Sequence, residues 1–576
     1  MRLALLQIPQ GGLALSDGFE VLHDAATAAR QSGDLGLALA LYARALALRP
    51  DDVDCLCEFA RALSAAGQGE RAAHMLNAGL RARPGDLKIV VALGQTLRAT
   101  NRFDLAVNLW LLCVETMPHL PLAHYELGHA LLGRAEPERA AEAFAKAATL
   151  SAGAERDAAL KAELLARAYA GSDDGETILA LNRARAAGLA PARPAALHEN
   201  PRDPERRLRV GYLSSDFRYH SVARPLEALF AYRDRRRFEV FAYAEVRAED
   251  AITKRFQALA DRWISTRGMS DAEVAQRMRA DGIDILALSA GHFDENRLGV
   301  ALHRPAPVQV SIYDSGTLGS DAIDAIVLDP AMAGGADERW IERPLRTRHM
   351  FVHPPLDIAP PVLPPPVLAN GYVTFGTANH PSKFSQATFA LWASALQAVP
   401  GAKLRLKSGQ RYDDPDTVAN FVRRFAVHGI GAERLVFERG NPNLVDHLRF
   451  YERIDLALDT VPFNGATTTF EALWMGVPVL ALRGASVMAR WSGAELARIG
   501  ADDWVAGDVA SYAALAARLA AQAPQQDRWA LRARVAASAL CDLPGHARAY
   551  ERLYRALWRR WCATAGRSEL LQRGIP

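Results

Sequence analysis

The chain has little cysteine: Cys55, Cys57, Cys113, Cys541 and Cys562, with no CxxC pair and no Cys/His zinc spacing. That argues against a disulfide framework or a zinc module and fits a reducing compartment. It also has little net charge, +3 over 576 residues. A general nucleic-acid binder would carry a clustered basic excess. The basic runs Arg233 to Arg237 and Arg559–Arg560 read as solvated faces. No run reaches the ~18 apolar residues of a membrane span. Met1 to Ile8 is apolar, but Pro9, Gly11 and Gly12 break it before a secretory core forms. There is no GxxxxGK(S/T) phosphate loop and no GxSxG elbow. No acidic pair marks a metal site; Asp413, Asp414 and Asp416 read as turn residues. These absences predict a soluble cytoplasmic protein with no metal, no nucleic-acid partner and no membrane. What is present is apolar: half the residues are hydrophobic, enough for a large core in about three or four domains.

The first part of the chain repeats itself. Ala38, Ala72, Ala106 and Ala140 are 34 residues apart, with Tyr42, Leu76, Trp110 and Phe144 four residues after each. Pro50, Pro84 and Pro118 keep the same step, as do Ala60, Gly94 and Gly128. A small residue lets two helices approach, a bulky one fills the space between repeats, and Pro ends the second helix. This pattern resembles the tetratricopeptide repeat. About four repeats are expected over residues 19–154. Residues 155–206 are expected to hold helices that cap the stack and then a linker. Stacked repeats bind extended peptides or proteins on a concave face, or serve as a spacer or homo-oligomer contact.

From Leu208 the pattern becomes strands alternating with helices. Leu208 to Leu213, Phe238 to Tyr243, Ile283 to Leu288, Val308 to Ile312 and Ala325 to Leu328 are short apolar runs, which predicts a parallel α/β lobe over 207–352. Phe351 to Gly371 carries seven prolines, so the connector over 353–370 forms neither a helix nor a central strand. A second α/β lobe over 371–520 starts at Tyr372 to Phe375 and runs through Leu404 to Lys407 and Leu435 to Glu438. C-terminal helices follow over 521–576. Ligands in such sheets bind outside the carboxyl ends of the strands.

Ile454 to Gly484 is the most informative stretch. A short strand, a loop with Pro462, Asn464 and Gly465, and a helix preceded by Thr467, Thr468 and Thr469 lead to a second strand, Val479 to Leu482. Thr is a good N-cap. A helix start with hydroxyls and free N–H groups suits a phosphate, although an ordinary capped βαβ unit has the same pattern. Two further loops sit at expected strand ends. Ser214 to Pro225 contains His220, placed to shuttle a proton, and Asp216, placed to orient the loop. Gly376 to Ser385 contains Lys383, placed to neutralise a departing diphosphate. Glu471, one turn into the threonine helix, is placed to accept from a ribose or to complement the helix dipole.

Taken in order, these segments resemble the SPINDLY and O-GlcNAc transferase family of protein O-glycosyltransferases, and more closely its SPINDLY-like members. The similar stretches are DPERRLRVGYLSSDFRYHSV (203–222), DGIDILALSAGH (281–292), RPAPVQV (304–310), NGYVTFGTANHPSKFS (370–385) and HLRFYERIDLALDTVPFNGATTTFEALWMGVPVL (447–480). The resemblance implies a GT-B fold of two Rossmann-like lobes after the repeat solenoid. It implies metal-independent, inverting transfer of a sugar from a nucleotide diphosphate to Ser or Thr of a protein held by the repeats. Carried over by motif, His220 and Lys383 are catalytic, Thr467 and Thr468 hold the diphosphate, with Thr469 also donor-binding, and Glu471 holds the ribose. His447 lies near the nucleobase and His292 near the sugar, with Asp216, Asn464 and Gly465 supporting. UDP-GlcNAc, GDP-fucose or a CMP-nonulosonate are the donors implied, and flagellin is one implied acceptor. The family's Gly-Tyr-Pro loop is replaced by SIYDSGTLG (311–319), one residue shorter, and Ser265 stands where relatives carry an acid. An alternative reading is a repeat scaffold whose transferase domain is inactive.

Overall fold

The computed structural model describes residues 18–171, 174–191, 198–289, 291–293, 295–335, 338–440 and 443–564. The linker residues 192–197 and the end of the C-terminal region therefore lie outside the described residues. The chain divides into two compact units between Gly133 and Arg134.

The first unit is helical: α1 (Phe19–Ser32), α2 (Leu35–Leu48), α3 (Val53–Ala65), α4 (Gly69–Ala82), α5 (Leu87–Ala99), α6 (Phe103–Thr116) and α7 (Pro121–Gly133). Side chains of Asp34, Asp52 and Asp86 cap α2, α3 and α5 by accepting from their first turns. The repeating columns are the core: Ala38, Ala72, Ala106, Tyr42, Leu76 and Trp110 are buried. The small column is set by close approach, since a Cβ on Gly94 would lie 2.6 Å from the Trp110 ring. These are the tetratricopeptide helices that the period predicts.

The second unit opens with α8 (Pro137–Leu150), α9 (Gly153–Ala170) and α10 (Gly175–Leu189). Two parallel sheets follow. The first, in the order β3-β2-β1-β4-β5-β6-β7, comprises β1 (Leu208–Ser214), β2 (Phe238–Ala244), β3 (Arg262–Ser265), β4 (Ile285–Ser289), β5 (Val308–Ile312), β6 (Ala325–Leu328) and β7 (Arg343–Arg346). The second, in the order β10-β9-β8-β11-β12-β13, comprises β8 (Thr374–Thr377), β9 (Lys403–Lys407), β10 (Leu435–Glu438), β11 (Leu456–Leu458), β12 (Val479–Leu482) and β13 (Val505–Ala506). This is the two-lobed GT-B arrangement. Strands β3 and β7 escape the hydrophobic pattern because they are half-exposed sheet edges, and Pro344 is tolerated in β7 for the same reason.

The proline connector forms no strand, and its one helical turn, Val367–Asn370, follows the last proline. Arg233 is not solvated as expected: it is buried, donating to Asp261 at 2.9 Å. The C-terminal helix Leu543–Ala563 returns to the first lobe, where Tyr550, Tyr554, Leu557 and Trp558 share a core with Tyr212, Leu226 and Val310. Each sheet reverses its strand order beside its first strand, so the loops after β1, β4, β8 and β11 gather at the carboxyl edges.

Candidate functional site

Asp459 directly follows β11 and is buried. Its Oδ1 accepts from the N–H groups of Thr460 (2.8 Å) and Gly465 (2.7 Å), which folds the intervening loop back on itself. Asn464 Nδ2 closes the same loop by donating to the Thr460 carbonyl at 2.8 Å. Gly465 is required by space: a Cβ would lie 2.5 Å from Thr468 Oγ1 and 2.8 Å from Thr469 Oγ1.

The helix after this loop is Thr467–Trp474, three residues earlier than the hydrophobic pattern suggests, and the expected threonine cap is absent. Ala466 holds the N-cap position and offers no side-chain acceptor. The hydroxyls of the first turn have other work. Thr468 Oγ1 donates to Asn379 Oδ1 at 3.1 Å, and Thr469 Oγ1 pairs with Ser492 Oγ at 2.7 Å. A first turn without a capping side chain presents its N–H groups and dipole to whatever lies in front of it.

Lys383 arrives in the same place from the loop after β8. Its Nζ donates to the Asn464 carbonyl at 3.0 Å and lies 4.5 Å from the centroid of the Phe463 ring. Burial pushes this ammonium down to about 8, against the pull of Asp459. Burial raises the Asp459 carboxyl, opposed by its hydrogen bonds and by Lys383. Lys383, Asn464, Gly465 and Thr467 to Thr469 thus form one cradle, with a cation and unpaired donors suited to a polyanion.

Glu471 lies one turn on and is buried. Its Oε1 accepts from Arg224 Nη2 (3.0 Å) and its Oε2 pairs with His447 Nε2 (3.1 Å). Burial alone would raise this carboxyl, but His447 and Arg224 hold it below the usual range. Lys407, at the end of β9, donates to His447 Nδ1 at 3.0 Å and to the His447 carbonyl at 2.7 Å. An ammonium on Nδ1 leaves the His447 proton on Nε2, directed at Glu471. Burial and Arg453 push the Lys407 ammonium down to about 8.

The remaining expected residues belong to the first lobe. His220 Nδ1 lies 3.4 Å from Asp216 Oδ1 and 3.3 Å from the Val222 N–H. Asp216 is buried and accepts from Ser215 Oγ and Asn296 Nδ2. His292 is buried in a hydrogen-bonded network of its own. Its Nδ1 bonds to Asp314 and its Nε2 lies 2.9 Å from Asn182 Oδ1 on α10. Asp314 also accepts from the N–H groups of Gly291 (2.8 Å) and Ser315 (2.9 Å) and from Ser311 Oγ (3.0 Å). Burial opposes ionisation of this carboxyl, yet His292 and these donors hold it below the usual range.

The altered 311–319 loop is therefore a built feature. Tyr313 takes a positive φ of 56° to aim Asp314 at His292, while its hydroxyl meets His546 Nε2 at 2.7 Å. A Cβ on Gly319 would lie 2.4 Å from the Asn182 backbone, so α10 lies directly on the shortened loop. A cleft of about 1060 Å³, open-solvent space included, runs between α9, α10 and the two lobes, touching His292, Asn182, Thr317, Trp340, Pro462 and Met488. Helices α9 and α10, expected as a cap of the repeats, form one wall of this cleft.

Sequence reasoning did not single out Asn379, Lys407, Arg224, Asn182 or Asp314. Asn379 and Lys407 end or follow expected strands and were findable by position. Arg224 lies in the Ser214 to Pro225 stretch but already on the helix that follows it, and Asn182 lies on a helix with no motif around it. Among the described residues, no group of three or more His, Cys, Asp or Glu side chains is arranged to hold a metal ion. No described helix is long and apolar enough to cross a membrane.

The sequence matches the family model described as glycosyl transferase family 41 over residues 186–335 and 367–544, and a tetratricopeptide repeat model over 29–93. It is 35% identical over 396 residues to SPINDLY of Solanum lycopersicum, described as a probable UDP-N-acetylglucosamine–peptide N-acetylglucosaminyltransferase; the match covers 65% of this chain and 42% of that protein. SPINDLY of Arabidopsis thaliana is 34% identical, with 66% and 43% covered. The chain thus spans about two fifths of the length of these curated relatives. A solved mutant of the Thermobaculum terrenum O-GlcNAc transferase superposes with a TM-score of 0.76 at 30% identity, covering 95% of this chain and 98% of that one.

Proposed function

The chain belongs to glycosyl transferase family 41, and from that premise we propose that it is a protein O-glycosyltransferase acting on Ser or Thr. One observation carries the reading: the Lys383 ammonium and the uncapped first turn at Thr467 and Thr468 converge on the Asn464–Gly465 loop. That cradle suits the diphosphate of a nucleotide-sugar donor. Glu471 takes the ribose, and His447, oriented by Lys407, stands near the base.

The acceptor oxygen attacks the anomeric carbon from the face opposite the leaving group. The new carbon–oxygen bond forms as the bond to the diphosphate breaks, so the configuration inverts. The hydroxyl proton passes to His220, held by Asp216. Lys383 and the helix N–H groups stabilise the charge that develops on the departing nucleoside diphosphate, which removes the need for a metal. His292, on the wall of the adjoining cleft, faces the sugar. The repeats recruit the acceptor protein.

UDP-GlcNAc is the donor named for the curated relatives and GDP-fucose follows from the SPINDLY likeness; both leave as nucleoside diphosphates, whereas a CMP-nonulosonate, which the altered loop would admit, leaves as CMP and fills only one phosphate position of the cradle. Flagellin is a candidate acceptor. The test is intact-mass analysis of candidate acceptors co-expressed with the wild type or with Lys383→Met. A mass increment that names one sugar and disappears with Lys383→Met is expected. No increment on any acceptor, together with no hydrolysis of the three donors, favours a repeat scaffold with an inactive domain.

A further inference from the structure

Arg224 is the second residue of α11 (Ala223–Ala231), yet its side chain crosses to the other lobe and pairs with Glu471 at 3.0 Å. The pair is largely withdrawn from water, with side-chain exposures of 17% and 5%. Its second terminal nitrogen, Nη1, is buried and finds no acceptor among the described residues. A guanidinium held this way has fixed one fork and leaves the other to be satisfied.

The position of Arg224 along the chain gives this contact a consequence. Ala223 N–H donates to the His220 carbonyl at 3.2 Å, and Val222 N–H points at His220 Nδ1 at 3.3 Å. His220 and Arg224 therefore sit at the two ends of one hydrogen-bonded turn. Asp216 holds the near end of that turn, and Glu471 holds the far end through Arg224. Beyond Glu471 the network continues through His447 to Lys407 at the end of β9. It joins the carboxyl edges of both sheets through side chains and the His220–Arg224 turn.

A carboxylate has room for further donors after two have bound. Ribose hydroxyls can therefore reach Glu471 while Arg224 and His447 remain. We propose that Arg224 is a positioning residue that ties the His220 turn to Glu471, so that a nucleotide seated on Glu471 fixes the proton-accepting histidine from the opposite lobe. This rests on the transferase reading above and adds to it a coupling between donor occupancy and the acceptor side.

The test uses the full chain with UDP, GDP, CMP, UDP-GlcNAc and GDP-fucose as probes. Arg224→Gln should bind the favoured nucleotide within about fivefold of wild type but turn over its sugar donor about 10- to 100-fold more slowly at saturation, as displaced reacting groups do. Arg224→Lys should recover part of the loss. Glu471→Gln should also slow turnover, and the double variant should be no slower than the worse single one. In hydrogen exchange, the nucleotide should slow the amides of 216–224 in the wild type and not in Arg224→Gln, whose melting temperature controls for folding. Additive losses, exchange that does not respond to bound nucleotide, or faster turnover by Arg224→Gln would each overturn the coupling. If the wild type binds none of UDP, GDP and CMP, the transferase reading itself fails.

Discussion

The depressed ammonium of Lys383 makes nucleotide binding depend on pH in a calculable way. Burial brings it down to about 8, with Asp459 pulling the other way. At pH 7 about nine tenths of the lysine is charged, at pH 8 about half, and at pH 9 about one tenth. A diphosphate in the cradle favours the charged form and raises the value again. Binding at pH 9 must then take up about 0.9 proton, against about 0.1 at pH 7. Affinity falls about twofold by pH 8 and about tenfold by pH 9, relative to pH 7. Calorimetric titration with UDP and GDP in buffers of different ionisation enthalpy measures the uptake directly. Lys383→Met should abolish it. Lys407→Met should keep it, because Lys407, although also near 8, faces His447 rather than the cradle. The sign for stability is opposite. A lysine whose folded value is depressed burdens the fold while charged, and this burden eases as pH rises from about 8 toward the ordinary lysine value. No proton uptake at pH 9 in the wild type, or uptake that persists in Lys383→Met, refutes the placement of Lys383 on the diphosphate.

Two further outcomes follow from packing. Gly465→Ala forces a methyl against Thr468 Oγ1 and Thr469 Oγ1; it should cost about 1–3 kcal/mol in denaturant unfolding and weaken UDP or GDP binding more than tenfold. Asp314→Asn removes the carboxylate that pairs with His292; it should cost about 3 kcal/mol by the same measure and lower donor turnover while leaving nucleotide affinity near wild type.

The architecture was legible where burial imposes a period. Ala38 to Trp110 repeat because each pair of helices buries the same columns, and β5, β6 and β12 match their apolar runs because both faces of the sheet are covered. The edges of the first sheet were illegible for the converse reason: β3 and β7 bury too little to leave a pattern. The cradle was partly legible, since a loop with Gly465 before three threonines announces a helix start. Its refinement was not, because nothing local says that Thr468 and Thr469 spend their hydroxyls on Asn379 and Ser492 and leave the first turn uncapped. Arg224 and Asn182 gain their meaning only from residues 247 and 110 positions away. The 311–319 loop looked like an erosion of a motif, and Asp314 turns out to be its most heavily bonded side chain.

The central claim is that Lys383 and the start of helix Thr467–Trp474 hold a diphosphate. Its most direct measurement compares each nucleoside diphosphate with its monophosphate, UDP with UMP and GDP with GMP, by calorimetry at pH 7. The account predicts that the favoured diphosphate binds at least about tenfold more tightly than its monophosphate, as charge-assisted contacts to a second phosphate require, and that Lys383→Met erases the difference. Equal affinity for the two in the wild type would contradict it.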